Sequence, residues 1–380
     1  MLNDPGSGAR DVRPVVVAAR RTPIATAGRG LAACPPDELA AVALRAAVDD
    51  LGDHSPTVDD VVLGSSRGPG GALGRLAGLR AGLGHDVPGM TVDRQCAAGL
   101  EAVTTAAALV ASGQASVVAA GGAESASQAP PGRARFAPVD VGDPDMGVAA
   151  ETVAREAGIS RQRQDDYAAR SHARALAARA DGRFDAEIVP LAGVDADDRP
   201  RAISAQRLSR LRPAFVEGGT VTAGNSCGVS DGAAAVVVVP EWLRAELGWS
   251  GLRVVAVGRA GVDPNRCGLG LVPATEQALQ RASLGVGDMG TVEIVEAFAG
   301  QVLAGADSLG LDNTLICPDG GALALGHPWG ASGAVLMVRL LSRMVRQRRY
   351  DPARPYGLAA VAAGGGQGVA VVVEPVGVEP

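Results

Sequence analysis

The chain has 380 residues and a net charge of -6, and every one of its 35 basic side chains is arginine because lysine is absent. This excludes Schiff-base chemistry on a lysine and leaves guanidinium groups to hold any phosphate or carboxylate. The acidic balance excludes general nucleic-acid binding, which needs a basic face, while 47% hydrophobic residues with only 3% aromatics call for a core of Ala, Val, Leu and Gly in closely packed α/β layers.

In chain order, residues 1–12 are polar and rich in Gly, Pro and Asp, and read as a disordered arm rather than a signal peptide. A strand over 15–18, a helix over 37–51 and a strand over 60–63 follow. The run Asp93-Arg94-Gln95-Cys96-Ala97-Ala98-Gly99 then opens an apolar helix over 97–111, which contains Glu101, Thr104 and Thr105 and is too short to span a bilayer. A strand over 118–122 comes next. From 126 to 213 the composition turns to Arg, Asp and Pro, with one amphipathic helix over 161–180, before a β-branched run at 235–239. The order then repeats: strand 253–256, helix 274–284, strand 292–295, a helix opened by Ala331-Ser332-Gly333, a strand into Gly364-Gly365, and a closing run at 369–373.

Two similar α/β halves with largely buried sheets follow from this repeat. Residues 13–125 with 214–250 make the N-terminal half, 251–378 the C-terminal half, and 126–213 an inserted loop domain without a counterpart. An insertion of that kind forms a lid or a cofactor-binding lobe. Most of its arginines read as solvated surface, with one or two facing a nucleotide phosphate. The five cysteines are odd in number and lack CxxC spacing, so neither a disulfide framework nor a metal site is expected. A cytoplasmic protein that does not enter a membrane is the simplest expectation.

Chemistry concentrates at the helix starts. A thiol at Cys96 feels the positive end of the helix dipole, which favours thiolate, although a cysteine in an Ala-rich segment is ordinarily an inert core residue. His327, in Gly326-His327-Pro328, precedes the equivalent helix of the second half, so pseudo-twofold packing brings it toward Cys96 as base or hydrogen-bond donor. The run Gly364-Gly365-Gly366-Gln367-Gly368 follows a strand, where backbone N–H groups can form an oxyanion hole or simply a tight turn.

These segments together resemble the thiolase family. The matching motifs are Cys96 with Gly99, Gly121-Gly122-Ala123-Glu124-Ser125, Thr220-Val221-Thr222-Ala223-Gly224-Asn225, Ser230-Asp231-Gly232-Ala233-Ala234 and Glu296-Ala297-Phe298-Ala299. Gly320-Gly321-Ala322-Leu323-Ala324-Leu325-Gly326-His327-Pro328, Gly330-Ala331-Ser332-Gly333 and the terminal glycine run complete a match over about 13–375. The resemblance implies the thiolase fold: two mixed five-stranded α/β halves in an αβαβα arrangement plus a loop domain that holds coenzyme A. It implies a homodimer or homotetramer, Cys96 as nucleophile, His327 beside it, and an oxyanion hole from the backbone of Cys96, Gly364 and Gly365. It also implies a coenzyme A thioester as substrate rather than as a resident cofactor, with Arg212, Cys227, Met146, Ala223 and Phe298 on the coenzyme.

Two family positions depart. Val295 stands where Asn or His precedes Glu-Ala-Phe and holds the water of one oxyanion hole. Ala362 stands where a second cysteine removes and returns the α-proton of the acyl acceptor. The loop domain also differs, with Asp145-Met146-Gly147 for His-Met-Gly, Cys227 for a pantetheine-contacting Ser, and Cys267-Gly268-Leu269-Gly270-Leu271 for Met-Gly-x-Gly-Pro. The first expectation is therefore an acyltransferase that loads Cys96 from an acyl-CoA or acyl-carrier-protein thioester and passes the acyl group to an acceptor needing no deprotonation by the missing cysteine. The first alternative is a thiolase, an acetyl-CoA C-acyltransferase with reduced or rerouted Claisen activity, Cys227, Cys267 or Cys317 supplying a relocated base. The second alternative is a non-catalytic thioester-binding or scaffold subunit, with an OB-fold protein as possible partner.

Overall fold

The computed structural model describes residues 10–52, 56–68 and 70–378. The expected arm over 1–12 falls mostly outside the described residues; Arg10 stacks 4.4 Å over the Trp242 ring, and the Asp11 carbonyl accepts the Trp242 N–H at 3.0 Å.

The strands are β1 (Pro14–Arg21), β2 (Ala25–Thr26), β3 (Asp60–Gly64), β4 (Gly89–Val92), β5 (Val118–Ser125), β6 (Ser230–Pro240), β7 (Gly251–Gly261), β8 (Met289–Ile294), β9 (Tyr356–Ala363) and β10 (Gln367–Val376). The helices are α1 (Pro36–Asp49), α2 (Leu73–Arg80), α3 (Ala98–Ala111), α4 (Met146–Glu156), α5 (Arg161–Ala180), α6 (Ala205–Leu208), α7 (Glu241–Glu246), α8 (Leu271–Ala282), α9 (Ala299–Leu309), α10 (Ala322–Leu325) and α11 (Ser332–Leu341). No helix among the described residues is long and apolar enough to cross a membrane.

Strand order in space is β4-β3-β5-β6-β1-β7-β10-β9-β8, with β2 beside β6. In the first half β3 runs parallel to β4 and β5, and β6 is antiparallel to β5 and β1. The second half repeats this, with β8 parallel to β9 and β10 antiparallel to β9 and β7. Thus β1, β3, β5 and β6 correspond to β7, β8, β9 and β10, as the sequence repeat requires. The counterpart of β4 shrinks to one parallel bridge between Val292 and Ile316. The halves join through β1 and β7 at Val15–Arg253 and Val16–Leu252. Every position of β6 is buried, so it reads as a continuous apolar run rather than an alternating one.

Three cores make the layers. Leu39 and Leu44 of α1 pack on Val61, Leu63 and Val237 of the first sheet. Leu271 and Ala278 of α8 and Val302 of α9 pack on Ile294 and Val372 of the second. Between the sheets, Leu100 and Val103 of α3 and Val338 of α11 meet Val236 and Val371. Glycine lets these central helices touch: a Cβ on Gly99 would stand 2.6 Å from the Gly330 carbonyl oxygen, and one on Gly333 would stand 2.5 Å from the Leu100 nitrogen.

The insertion supplies α4, α5 and α6. Ser160 caps α5 by accepting the Arg163 N–H at 3.2 Å. Tyr167 and Ser171 of α5 then donate hydroxyls to Glu296 at 2.8 and 2.7 Å, fixing the insertion against the loop after β8.

Candidate active site

A 3₁₀ turn, Gln95–Ala97, leads into α3, and an equivalent turn, Trp329–Ala331, leads into α11. Both begin on a left-handed residue: Gln95 has φ of 52° and Trp329 has φ of 24°, a conformation that non-glycine residues rarely adopt. Asp93 holds the first by accepting the Gln95 N–H at 2.7 Å. The strained turn is kept by contacts around it, the usual arrangement where backbone geometry presents a reacting side chain.

Glu124, fully buried at the end of β5, ties the loop after β3 to the second of these turns. It accepts hydrogen bonds from Ser65 Oγ (2.9 Å), the Ser66 and Arg67 N–H groups (2.9 Å each), Ser66 Oγ (2.8 Å) and the Gly330 N–H (3.0 Å). Glu296 in the second half accepts the Leu323 N–H at 3.1 Å in addition to its bonds from α5, and so joins α5 to α10. The His327 N–H donates to the Gly228 carbonyl at 2.9 Å, which fixes the residue in its glycine-flanked loop.

Within this frame His327 Nε2 lies 3.3 Å from Cys96 Sγ, and His327 Nδ1 lies 2.6 Å from Ser332 Oγ. The pair opens onto a cavity of about 610 Å³ whose walls also include Met146, Cys227, Phe298, Ala362 and Gly364. A pocket of that size accommodates a thioester and its pantetheine arm. Gly365 lies outside the walls, as do Arg212 and Ala223, which are exposed. Cys267 lines the cavity, whereas Cys317 is buried elsewhere with its thiol directed at the Ile294 carbonyl, 3.3 Å away. Val295 is not among the walls of this cavity and lines a separate small one with Glu293, Ser332 and Arg339.

Burial overrides the helix dipole at the nucleophile. Desolvation pushes the Cys96 thiol up to about 12, with the thiols of Cys227 and Cys267 adding to the effect. Cys96 therefore rests as a thiol, contrary to the thiolate that its sequence context favours; it sits in the turn before α3, not in the helix itself. Burial also lowers His327 to about 4, so the imidazole is neutral at pH 7 and free to take a proton. Cys227 is pushed up to about 12 by burial although Arg199 opposes it, and Cys267 to about 11 by burial.

Sequence reasoning missed the aromatic wall. Phe136 of the insertion lies against the glycine turn, where a Cβ on Gly364 would meet its ring at 2.8 Å, and Phe215 stands edge-on to Phe298 with centroids 6.0 Å apart. No local pattern marks either residue, since Phe136 reaches the cavity from the irregular insertion and Phe215 from the loop that follows it. Trp329 and Glu124 had signals: one is two residues from His327, and the other is an acid ending an apolar strand.

Two family profiles match the chain, "Thiolase, N-terminal domain" over residues 14–242 and "Thiolase, C-terminal domain" over residues 248–375. A putative acetyl-CoA C-acetyltransferase, YhfS of Bacillus subtilis, is 42% identical, with 95% of this chain and 98% of that protein covered. The acetyl-CoA acetyltransferase of Escherichia coli is 40% identical at the same coverage. Among solved structures, the acetyl-CoA acetyltransferase of Bacillus anthracis superposes with a TM-score of 0.90 at 35% identity, covering 97% of this chain and 100% of that one. Human mitochondrial 3-ketoacyl-CoA thiolase in complex with CoA gives 0.88 at 34% identity, covering 98% and 100%.

Proposed function

The chain belongs to the thiolase family, and from that premise we propose that it moves acyl groups between coenzyme A thioesters through a thioester on Cys96. The 3.3 Å contact between Cys96 and His327 at the cavity carries this reading. As Cys96 Sγ attacks the thioester carbonyl carbon, its proton passes to His327 Nε2, which Ser332 orients through Nδ1. The oxyanion accepts hydrogen bonds from the backbone N–H groups of Cys96 and Gly364. The tetrahedral adduct then expels coenzyme A as thiolate, which takes the proton from His327. Coenzyme A serves as substrate, with Met146, Cys227 and Phe298 along its pantetheine arm, and no resident cofactor takes part.

The names of the relatives favour C-acetyl transfer, the thiolase reaction that the sequence alone ranked second, over transfer to an acceptor needing no carbon deprotonation. In the thiolytic direction, Cys96 attacks the 3-keto carbon of a 3-ketoacyl-CoA, the C2–C3 bond breaks, and the enolate that leaves takes a proton. Ala362 cannot donate it. Cys227 and Cys267 are the thiols that share the cavity, and a proton from either, or from water, completes the step at reduced rate. Transfer to a hydroxyl, an amine, an acidic carbon or water remains the second reading, favoured by Ala362 and Val295 specifically. A homodimer or homotetramer is the working assembly, and an acyl-carrier protein the alternative donor.

Intact-mass measurement of the protein with a panel of acyl-CoA thioesters tests the acyl-enzyme, with Cys96→Ala as control. An adduct absent from the control supports it. No adduct on a Cys96 that still alkylates removes it, in favour of a carrier-protein donor or a non-catalytic role with an OB-fold partner. Acetoacetyl-CoA cleavage in the presence of coenzyme A then separates the two reaction classes.

A further inference from the structure

The cavity is lined by few charged side chains, and Arg67 is the cation among them without a carboxylate partner among the described residues. Arg133 pairs with Asp143 at 2.9 Å, and Asp145 caps α4 by accepting the Gly147 N–H at 2.9 Å. Arg67 also lines the cavity, and among the described residues no carboxylate pairs with it. Its Nη2 donates to the carbonyls of Pro130 and Gly132, the latter at 2.9 Å, and its Cζ lies 6.0 Å from the centroid of the Trp329 ring. The guanidinium is thereby fixed in place, while Nε and Nη1 keep their protons for an acceptor from outside the protein.

Trp329, under the Arg67 guanidinium, is two residues from His327, which places Arg67 on the Cys96–His327 side of the cavity. Glu124 holds the Arg67 N–H and the Gly330 N–H together, so the arginine stands on the same carboxylate as the turn that follows His327. The nucleotide phosphates of coenzyme A lie a full pantetheine arm from the reacting sulfur. Near Cys96, the anion that a lone guanidinium meets is one carried by the acyl group. We propose that Arg67 binds a carboxylate at the far end of the transferred acyl group, which makes short dicarboxylic acyl thioesters the preferred donors. This inference rests on the acyl-Cys96 reading above. It requires a charge-assisted hydrogen bond in a partly enclosed site, where such a bond outweighs its exposed equivalent.

The test pairs thioesters of equal carbon number: succinyl- with butyryl-CoA, glutaryl- with pentanoyl-CoA, and adipyl- with hexanoyl-CoA. The rate of Cys96 acylation is read by intact mass. At least one acid-terminated donor is expected to react about 10- to 100-fold faster than its methyl-terminated partner, the range a charged hydrogen bond supplies. Arg67→Gln, which keeps a donor for the Pro130 and Gly132 carbonyls, is expected to erase that ratio. Equal rates within every pair, or a ratio that survives in Arg67→Gln, would overturn the proposal. Equilibrium binding of the same thioesters to Cys96→Ala reads the preference without chemistry, so a failure of acylation is distinguished from a failure of the Arg67 assignment. Free coenzyme A is the last arm. If Arg67→Gln weakens it as much as it weakens the acid-terminated thioesters, Arg67 reads a phosphate and the proposal falls.

Discussion

At the scale of single residues, the site pairs the Cys96 thiol with the His327 imidazole and has Ala362 where the family pattern has a second cysteine. Ala362 lines the cavity and Val295 does not, so the two departures differ in kind. Ala362→Cys places a thiol on the cavity wall, whereas Val295→Asn changes a position outside that wall. The double variant is expected to raise acetoacetyl-CoA thiolysis, up to about 10²- to 10⁴-fold, the range of one general acid-base group. Unchanged thiolysis in a folded double variant would show that the cavity serves another acceptor. The protonation states give a second prediction. With Cys96 pushed up to about 12, its alkylation by iodoacetamide should climb steadily from pH 7 to pH 10 rather than level off near neutrality. With His327 lowered to about 4, the neutral base is present above that value and lost as pH falls through it. Acylation should therefore show no acid limb from His327 between pH 5 and pH 8. A limb near the ordinary histidine value of 6.5 would contradict the burial of this imidazole.

At the scale of elements, the site depends on two helices being closer than side chains allow. Gly99 of α3 and Gly333 of α11 bring the Cys96 and His327 turns together, and each faces backbone atoms that cannot move aside cheaply. Gly333→Ala is expected to destabilise the fold by about 1–3 kcal/mol, as overpacking in a dense core does, measured as a lower urea midpoint at unchanged slope. Acylation of Cys96 should fall in the same variant, because the added methyl drives α3 from α11 and opens the 3.3 Å contact. A variant with native acylation would show that the turns are positioned by Glu124 and the loops alone.

Across the whole molecule, a buried ionic network joins the insertion to the second half. Asp319, fully buried before α10, receives Arg183 of the insertion at 2.8 Å, Arg339 of α11 at 3.0 Å, Arg343 at 3.2 Å and Arg349 at 3.1 Å. Arg339 also meets Glu187, which pairs at 2.8 Å with Arg21, itself held by Asp197 at 2.7 Å. Burial alone would raise the Asp319 carboxyl, but Arg339, Arg343 and Arg349 prevail and hold it at about 2. The stability this contributes is present above the ordinary carboxylate range and lost as pH falls through about 2. Asp319→Asn leaves several guanidinium groups without their anion and should cost about 3–5 kcal/mol at pH 7, read from chemical unfolding. A loss below 1 kcal/mol would mean that the remaining acids compensate.

The sequence by itself determined the element types, the doubled α/β order and the two motifs, Cys96 and His327, that the fold brings to 3.3 Å. Each is written in local terms: apolar runs such as 235–239, the glycine-marked helix starts at Gly99 and Gly333, and the Cys96 and His327 motifs. The tertiary structure decided what local pattern does not encode. Desolvation by the surrounding protein, rather than the dipole of α3, sets the charge on Cys96. The cavity wall draws on Phe136 of the irregular insertion and Phe215 of the loop after it, and Arg212 and Ala223 lie outside it. Val295 and Ala362 look alike as apolar replacements, yet only one faces the substrate side. Arg67, one arginine among 35, is singled out because the fold leaves it at the cavity without a carboxylate among the described residues. These outcomes depend on which surfaces meet, and long-range packing sets that where residue order does not.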